Sequence, residues 1–149
     1  MFLFTYGTLM QGESRAGIMR DLGFEKVCNY KANGFLMFHN FYGKYPIIFK
    51  STDKNDVVIG EIYTNNTDNI EDFDFDIDEY NNSILDILDN IEGVGVMYRR
   101  ETITAKVKDR VIKPYIYMGN YEYWKDYLSK EYGILPLVNN LKWSQKLFE

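Results

Sequence analysis

The 149-residue sequence contains one cysteine, one histidine and three prolines. The lone Cys28 has no partner for an internal disulfide, which excludes a disulfide-held fold and a cysteine-rich zinc site. His39 is the only histidine, so most multi-histidine metal centres are excluded, and a serine–histidine catalytic pair could use only this one side chain. No apolar run approaches the roughly 20 residues that span a bilayer, and the N-terminal region lacks the basic leader and long apolar stretch of a signal peptide.

Positive charge is also scarce. The chain has 17 lysines and arginines against 22 acidic residues, a formal net charge of -5, which is not the charge pattern of a nucleic-acid binder. Hydrophobic residues make up 46% and aromatic residues 17%, enough for a packed interior. We therefore expect a cytoplasmic, soluble protein with one domain over residues 1–149, which binds neither nucleic acid nor a membrane.

The apolar patterning predicts an α+β domain rather than an alternating βαβ sheet. Spacing predicts a helix over Ser83–Ile91, with Asn82 or Ser83 as N-cap and Gly93 just past its end. A hairpin is predicted from residues 98–107 and 111–118, joined by the turn 108–110. The remaining expectations are strands at 2–6, 26–30, 34–40, 45–49 (with Pro46 at a strand start or edge) and 57–63, and helices at 12–22, 123–131 and 139–148.

An acidic stretch, Glu71–Glu79, raises the question of a calcium site. A calcium loop needs glycine at its sixth position and glutamate at its twelfth. A loop starting at Asp72 would have Ile77 and Ser83 there, and a start at Asp74 also fails. The stretch is better interpreted as an alternating segment with its carboxylates in water, so no metal site is predicted.

Five motifs in a fixed order carry the functional argument. They are Tyr6-Gly7-Thr8-Leu9 with Gly12, Tyr45-Pro46, Gly60-Glu61-Ile62-Tyr63, the helix end Leu88-Asp89-x-x-Glu92, and Tyr98-x-Arg100. Each alone is weak, but together they resemble the γ-glutamylcyclotransferase superfamily, most closely its γ-glutamylamine cyclotransferase branch. The resemblance covers roughly residues 1–117. It breaks at 64–80, which is interpreted as an insertion, and the helical tail from about residue 121 lies outside it.

The resemblance implies a fold and a reaction. The fold is α+β: a mixed, curved sheet approaching a small barrel, with short flanking helices. The reaction releases 5-oxoproline from a small-molecule γ-glutamyl substrate, whose own α-amine attacks its γ-amide carbonyl. Because the nucleophile belongs to the substrate, the chemistry requires no protein nucleophile, metal or cofactor.

The resemblance also implies the site residues. Glu92 is the general acid/base, and the negative end of its helix should raise its pKa. The loop formed by Tyr6, Gly7, Thr8 and Leu9 holds the glutamyl carboxylate through backbone N–H groups and helps polarise the carbonyl.

The remaining candidates each have two interpretations. Tyr98 and Tyr117 either bind substrate through their hydroxyls or simply pack in the core. Arg100 either supports the site or pairs with an acid, and Asp89 is expected to cap or pair structurally. Structural roles are predicted for the other singled-out side chains: Cys28, His39, Trp124, Tyr127 and Tyr132.

The preferred function is therefore a cyclotransferase acting on a γ-glutamylamine or related γ-glutamyl amide. One alternative is a non-catalytic small-molecule-binding or regulatory module on the same fold. Another is a pathway enzyme that removes a γ-glutamyl protecting group from a larger metabolite. A metal-dependent hydrolase is disfavoured for want of ligands. The sequence does not determine the leaving amine or the oligomeric state.

Overall fold

A computed structural model describes residues 1–39, 46–70 and 76–128. The described elements, in chain order, are β1 (Phe2–Thr5), α1 (Ala16–Asp21), β2 (Glu25–Asn33), β3 (Phe35–His39), β4 (Pro46–Lys50), β5 (Val57–Thr64), a 3₁₀ turn (Thr67–Asn69), α2 (Ile77–Glu92), β6 (Tyr98–Thr102), β7 (Ala105–Val107), β8 (Arg110–Ile112), β9 (Tyr115–Gly119) and α3 (Tyr121–Leu128).

Within the described ranges, the main sheet has five strands in the order β2-β5-β1-β9-β6. The central strand β1 runs antiparallel to β5 and parallel to β9, so the sheet is mixed. Leu3 and Phe4 of β1 are each 1% exposed. The sheet is curved but does not close, which confirms the α+β class and shows an open sheet rather than a barrel.

Helix α2 covers this sheet with one apolar side. Ile84, Leu85 and Leu88 are buried and pack in a cluster with Leu3 and Tyr117. Their spacing of three and four residues places them on the same side of the helix. This packing fixes the helix against the sheet and thereby sets the position of its last residue, Glu92.

The start of α2 corrects the sequence prediction. The helix begins at Ile77, and the carboxylate of Asp76 accepts a hydrogen bond from the Glu79 backbone N–H at 3.0 Å. Asp76 is therefore the N-cap, whereas Asn82 and Ser83 lie inside the helix. Gly93 ends the helix at a φ of 66° as predicted, in the left-handed region that glycine tolerates.

The acidic stretch is only partly described, because residues 71–75 lie outside the described ranges. Ile77 and the acidic residues Asp78 and Glu79 belong to the first turn of α2, where negative side chains are favourable. Interpreting these residues as an alternating extended segment was wrong. Thr67, which lies inside the segment 64–80 interpreted as an insertion, is 2% exposed.

The predicted hairpin consists of two separate ladders. Strand β6 pairs with β9, and β7 pairs with β8. Pro114 lies between β8 and β9 and has no N–H to donate, although its carbonyl accepts from Ile103 N–H at 3.0 Å. The ladder is therefore interrupted at this point.

The other elements agree with the predictions except in length. Pro46 is the first residue of β4, as predicted, and α1 is shorter than the predicted 12–22. Trp124 is 5% exposed and donates to the carbonyl of Met97 at 2.8 Å, which confirms its packing role. Cys28 is half-buried against the core. The predicted helix at 139–148 and the side chains of His39, Tyr127 and Tyr132 lie outside what the structure describes.

Candidate active site

The loop after β1 forms a turn with free backbone donors. Met10 N–H donates to the carbonyl of Gly7 at 3.0 Å, and Arg15 N–H donates to that of Thr8 at 2.8 Å. Within the described part of the chain, the N–H groups of Gly7, Thr8 and Leu9 donate to no protein acceptor. Successive free N–H groups of this kind suit an anion or a developing oxyanion.

Gly7 brings this loop close to β4. An ideal Cβ atom at Gly7 would lie 2.7 Å from Cγ of Pro46, closer than real Cβ contacts allow. The φ of Gly7 is not in the left-handed region. Glycine is therefore needed here for close packing against Pro46 and not for an unusual backbone angle.

A buried carboxylate anchors the far end of the loop. Glu61 of β5 is 0% exposed, and its Oε1 accepts from the backbone N–H of Gln11 at 2.7 Å. Its Oε2 lies 2.5 Å from Nζ of Lys26 on β2, and Tyr63 donates to Oε1 at 3.1 Å. The Gly-Glu-Ile-Tyr strand thus connects the loop to the sheet.

Glu92 is the last residue of α2, and its side chain is half-buried. Burial raises the pKa of Glu92 to about 7, and the nearby Arg15 guanidinium opposes this rise. Desolvation disfavours the charged carboxylate. Glu92 therefore changes protonation near neutral pH, as a group that both accepts and returns a proton should.

A cavity of about 80 Å³ lies between the loop and the end of α2. This is space for several water molecules, and so for a small polar group. The lining residues are Phe4, Thr5, Tyr6, Gly7, Thr8, Leu9, Arg15, Pro46, Ile91, Glu92, Met97, Tyr98 and Tyr117. The structure thus brings together seven of the eight sequence-predicted site residues, Arg100 excepted.

The three tyrosines that line the cavity among the described residues donate their hydroxyl protons to protein acceptors. Tyr6 donates to the carbonyl of Tyr117, Tyr98 donates to that of Pro46 at 2.9 Å, and Tyr117 donates to Oδ1 of Asp89 at 2.8 Å. Burial raises the pKa of Tyr6 and of Tyr117 well above their usual range, so both stay protonated. A substrate group that meets one of these hydroxyls would find an acceptor.

Arg100 is not among the residues that line the cavity. Its guanidinium donates to Oδ2 of Asp89 at 2.8 Å, while Oδ1 of Asp89 holds Tyr117. Asp89 is on α2, one helical turn before Glu92. Its contacts with Arg100 on β6 and Tyr117 on β9 therefore connect the end of α2 to both strands. The prediction that Asp89 pairs structurally is confirmed, and Arg100 is its partner.

A comparison with protein-family models identifies the family. The model for gamma-glutamyl cyclotransferase, AIG2-like proteins matches residues 3–133. The chain belongs to this family. The match confirms the resemblance of the motifs, and it extends beyond residue 117 to include α3. Among curated protein sequences, no significant match was found.

Solved structures share the fold of this AIG2-like chain. An AIG2-like protein from Mus musculus has a TM-score of 0.58 and 19% identity, over 88% of this chain and 84% of that one. A uropathogenic E. coli-specific protein has a TM-score of 0.56 and 11% identity, over 99% and 93%. A protein from Arabidopsis thaliana has a TM-score of 0.52 and 24% identity, over 84% and 80%. At these identities the likeness shows the fold alone.

Sequence reasoning missed several lining residues of the AIG2-like site. Thr5 and Arg15 flank the first motif, and Met97 directly precedes Tyr98. The one available signal was their closeness in sequence to motif residues. Within the described part of the chain, no group of three or more acidic, histidine or cysteine side chains could hold a metal ion. No described helix has the length and apolar character needed to cross a bilayer.

Proposed function

We propose that this protein is a γ-glutamyl cyclotransferase that releases 5-oxoproline from a γ-glutamylamine or a related γ-glutamyl amide. One observation carries the proposal. Glu92, with its pKa raised to about 7, lines the same cavity as Gly7, Thr8 and Leu9, whose N–H groups donate to no acceptor within the described residues. The family to which the chain belongs supports cyclotransferase-type chemistry.

The substrate supplies the nucleophile. Its α-amine is mostly protonated at neutral pH and must lose a proton before it attacks the γ-amide carbonyl. The Glu92 carboxylate accepts that proton. A base whose pKa lies near the working pH combines a useful ionised fraction with the ability to give the proton back.

The loop holds the glutamyl group folded. The free N–H groups of Gly7, Thr8 and Leu9 are suited to the α-carboxylate or to the oxygen of the attacked carbonyl. Holding the amine against the carbonyl can lower the barrier by up to about 7–11 kcal/mol in well-oriented cases. The tyrosine walls keep the ring-closing atoms in a partly apolar space.

Further proton transfers complete the reaction. A bond forms between the α-nitrogen and the γ-carbon, and the original amide C–N bond breaks. Glu92 returns its proton to the departing nitrogen and then takes up the second proton, which the attacking nitrogen still carries, and passes it to the released amine, so the products are 5-oxoproline and a protonated amine. All electrons and protons in these steps come from the substrate and Glu92. The proposed partner of the protein is a small-molecule substrate.

A substrate screen tests the proposal. The purified protein is incubated with γ-glutamylamines, γ-glutamyl peptides and γ-glutamyl-lysine derivatives, and 5-oxoproline is measured by mass spectrometry. We expect release from at least one member, and release that depends on Glu92. If the protein binds members of the panel but never releases 5-oxoproline, the proposal is overturned and a non-catalytic binding module takes its place.

A further inference from the structure

Arg15 is the one cationic side chain among the described residues that line the cavity. It is exposed, and its guanidinium makes no ion pair or hydrogen bond with any residue of the described chain. Its charge nevertheless acts on the pKa of Glu92, which places it near the carboxylate. An unpaired arginine beside a ligand cavity is suited to a carboxylate that arrives with the ligand.

Burial along the cavity indicates which half of the substrate Arg15 would meet. Tyr6 and Leu9 in the loop are buried, Glu92 is half-buried and Arg15 is exposed. Under the proposed function, the glutamyl half lies at the loop and the scissile amide lies next to Glu92. The substituent on the amide nitrogen then continues towards solvent, where Arg15 is.

We propose that Arg15 is a specificity-determining residue that binds a carboxylate on the leaving half of the substrate. The preferred substrates are then γ-glutamyl derivatives of amino acids or peptides, with γ-glutamyl derivatives of simple uncharged amines second. This inference rests on the proposed function and deepens it.

Two ligands that differ only in this carboxylate provide the test: γ-glutamyl-alanine and γ-glutamyl-ethylamide. Binding is measured by calorimetry in the Glu92→Gln background, where turnover does not consume the ligands. We expect γ-glutamyl-alanine to bind about three- to tenfold more tightly, a modest ratio because Arg15 is exposed. Adding Arg15→Gln should bring the ratio close to one, and raising the salt concentration should reduce it.

Arg20 provides the matched control. It is an exposed arginine on α1 that lies outside the cavity lining, next to Asp21. Arg20→Gln removes the same charge from the molecule and should leave the ratio unchanged.

Each other outcome overturns the inference in a recognisable way. If Arg15→Gln leaves the ratio of the two affinities unchanged, or if the two ligands already bind equally well to the protein with Arg15, then Arg15 does not bind the carboxylate of the leaving half. If Arg15→Gln weakens both ligands equally, it holds the glutamyl carboxylate instead. If neither ligand binds before Arg15 is changed, the proposed function fails together with this inference.

A second observation concerns Thr5, at the end of β1. Thr5 is 5% exposed and lines the same cavity, and its Oγ1 is a buried polar atom that has no hydrogen-bond partner among the residues the structure describes. Within the described residues, every other buried side-chain nitrogen or oxygen has a hydrogen-bond partner. A buried hydroxyl without a partner destabilises a protein, so such a group at a ligand cavity calls for an explanation.

The geometry points to the missing partner being the ligand itself. We infer that the Thr5 hydroxyl donates a hydrogen bond to an oxygen atom of the bound glutamyl group, next to the free N–H groups of the loop. Thr5→Val tests this because valine keeps the shape and removes the hydroxyl. In the Glu92→Gln background, affinity for γ-glutamyl-ethylamide should fall about three- to tenfold, while the melting temperature should stay the same or rise.

Thr67 is the control for Thr5. It is equally buried, at 2% exposed, but its hydroxyl accepts a hydrogen bond from the N-terminal amine of Met1 at 3.0 Å, and it lies outside the cavity lining. Thr67→Val should lower the melting temperature and leave affinity unchanged. Unchanged affinity in Thr5→Val, or a melting temperature that falls as it does in Thr67→Val, would overturn the inference.

Discussion

Glu92 occupies a half-buried position in which its ionised carboxylate destabilises the fold but can act as a general base. Its half-buried position at the end of α2 raises its pKa to about 7. The same desolvation that makes the carboxylate a better base costs the folded state free energy once the proton has left. Both consequences are measurable.

The first prediction concerns turnover. Glu92→Gln keeps the side-chain volume and can still form hydrogen bonds, but it accepts no proton at neutral pH. The rate of 5-oxoproline release should fall by roughly 10²–10⁴-fold, the usual contribution of a positioned general base. Wild-type kcat/KM should rise with pH through about 7 as Glu92 ionises.

Asp89→Asn is the control for this substitution. Asp89 is one turn earlier on the same helix and contacts Arg100 and Tyr117, so its loss should affect stability more than turnover. Full activity in Glu92→Gln would show that another group is the base. Loss of activity through unfolding, seen by circular dichroism, would leave Glu92 with a structural role only.

The second prediction concerns stability against pH. An unfolded glutamate has a pKa of about 4.3, whereas the folded pKa of Glu92 is about 7. Between these values the unfolded chain binds fewer protons, so the contribution of Glu92 to stability falls as pH rises and is fully lost above pH 7. Glu92→Gln does not titrate. The free energy of unfolding of Glu92→Gln minus that of wild type should therefore be larger at pH 8 than at pH 4. We expect this increase to be about 1–3 kcal/mol, a range discounted for the partial exposure of Glu92.

Urea unfolding of both proteins at the two pH values measures this difference. A gap between the two proteins that does not change with pH would show that the pKa of Glu92 is not raised in the folded protein.

At the scale of elements, the loop that carries the free N–H groups is held from two sides. Glu61 on β5 binds the N–H of Gln11, and Pro46 on β4 packs against Gly7. Each support gives a prediction.

Removing the charge of Glu61 should destabilise the fold. Glu61→Gln still accepts from Gln11 N–H but leaves Lys26 without its anion. Because the Lys26 side chain is 29% exposed, water can replace part of the interaction, and we expect a loss of about 1–3 kcal/mol in the free energy of unfolding. Lys26→Met should cost less in the Glu61→Gln background than in wild type. A double-mutant cycle by denaturant unfolding measures the difference, and purely additive effects would show no coupling between the two charges.

Gly7→Val should block ligand binding while the protein still folds. A side chain there must displace the ring of Pro46, which moves the cavity wall and the neighbouring N–H groups together. We expect affinity for a γ-glutamyl ligand to fall by more than about tenfold, the effect of losing one charged hydrogen bond. Gly17→Ala in α1 is the control, because its Cβ has room and alanine favours a helix. Wild-type affinity in a folded Gly7→Val protein would refute this placement of the ligand.

At the scale of the whole molecule, the central strand depends on residues from the far end of the described chain. β1 lies between β5 and β9, and β9 also supplies the sheet partner of β6. Ile116 and Met118 of β9 are 0% and 2% exposed. The sheet is therefore incomplete until β9 has been added.

A chain that stops at residue 113 tests this dependence. It lacks β9, so it exposes the edge of β1 and removes the partner of β6. We expect no cooperative unfolding transition in urea, compared with a single cooperative transition for the full-length chain. Cooperative unfolding of the shortened chain would show that β1 and β5 form a stable core without β9.

Features that depend on neighbouring residues were predictable from the sequence. Pro46 begins a strand because it cannot donate to a ladder, and Gly93 ends a helix because it tolerates a positive φ. The apolar spacing of Ile84, Leu85 and Leu88 predicted the buried side of α2. The ordered motifs were sufficient for the family, and hence for the fold and for the candidate residues Glu92 and Tyr6–Leu9.

Features that depend on distant residues were decided only by the folded chain. The parallel pairing of β1 with β9, the Glu61–Lys26 pair and the donation from Tyr117 to Asp89 join residues that no local pattern connects. The proximity of Arg15 to Glu92 in one cavity lining arises in the same way, as does the lack of a partner for the Thr5 hydroxyl among the described residues. Charge, burial and hydrogen bonding depend on which groups become neighbours in space, and packing of α2 against the sheet determines those neighbours at this site.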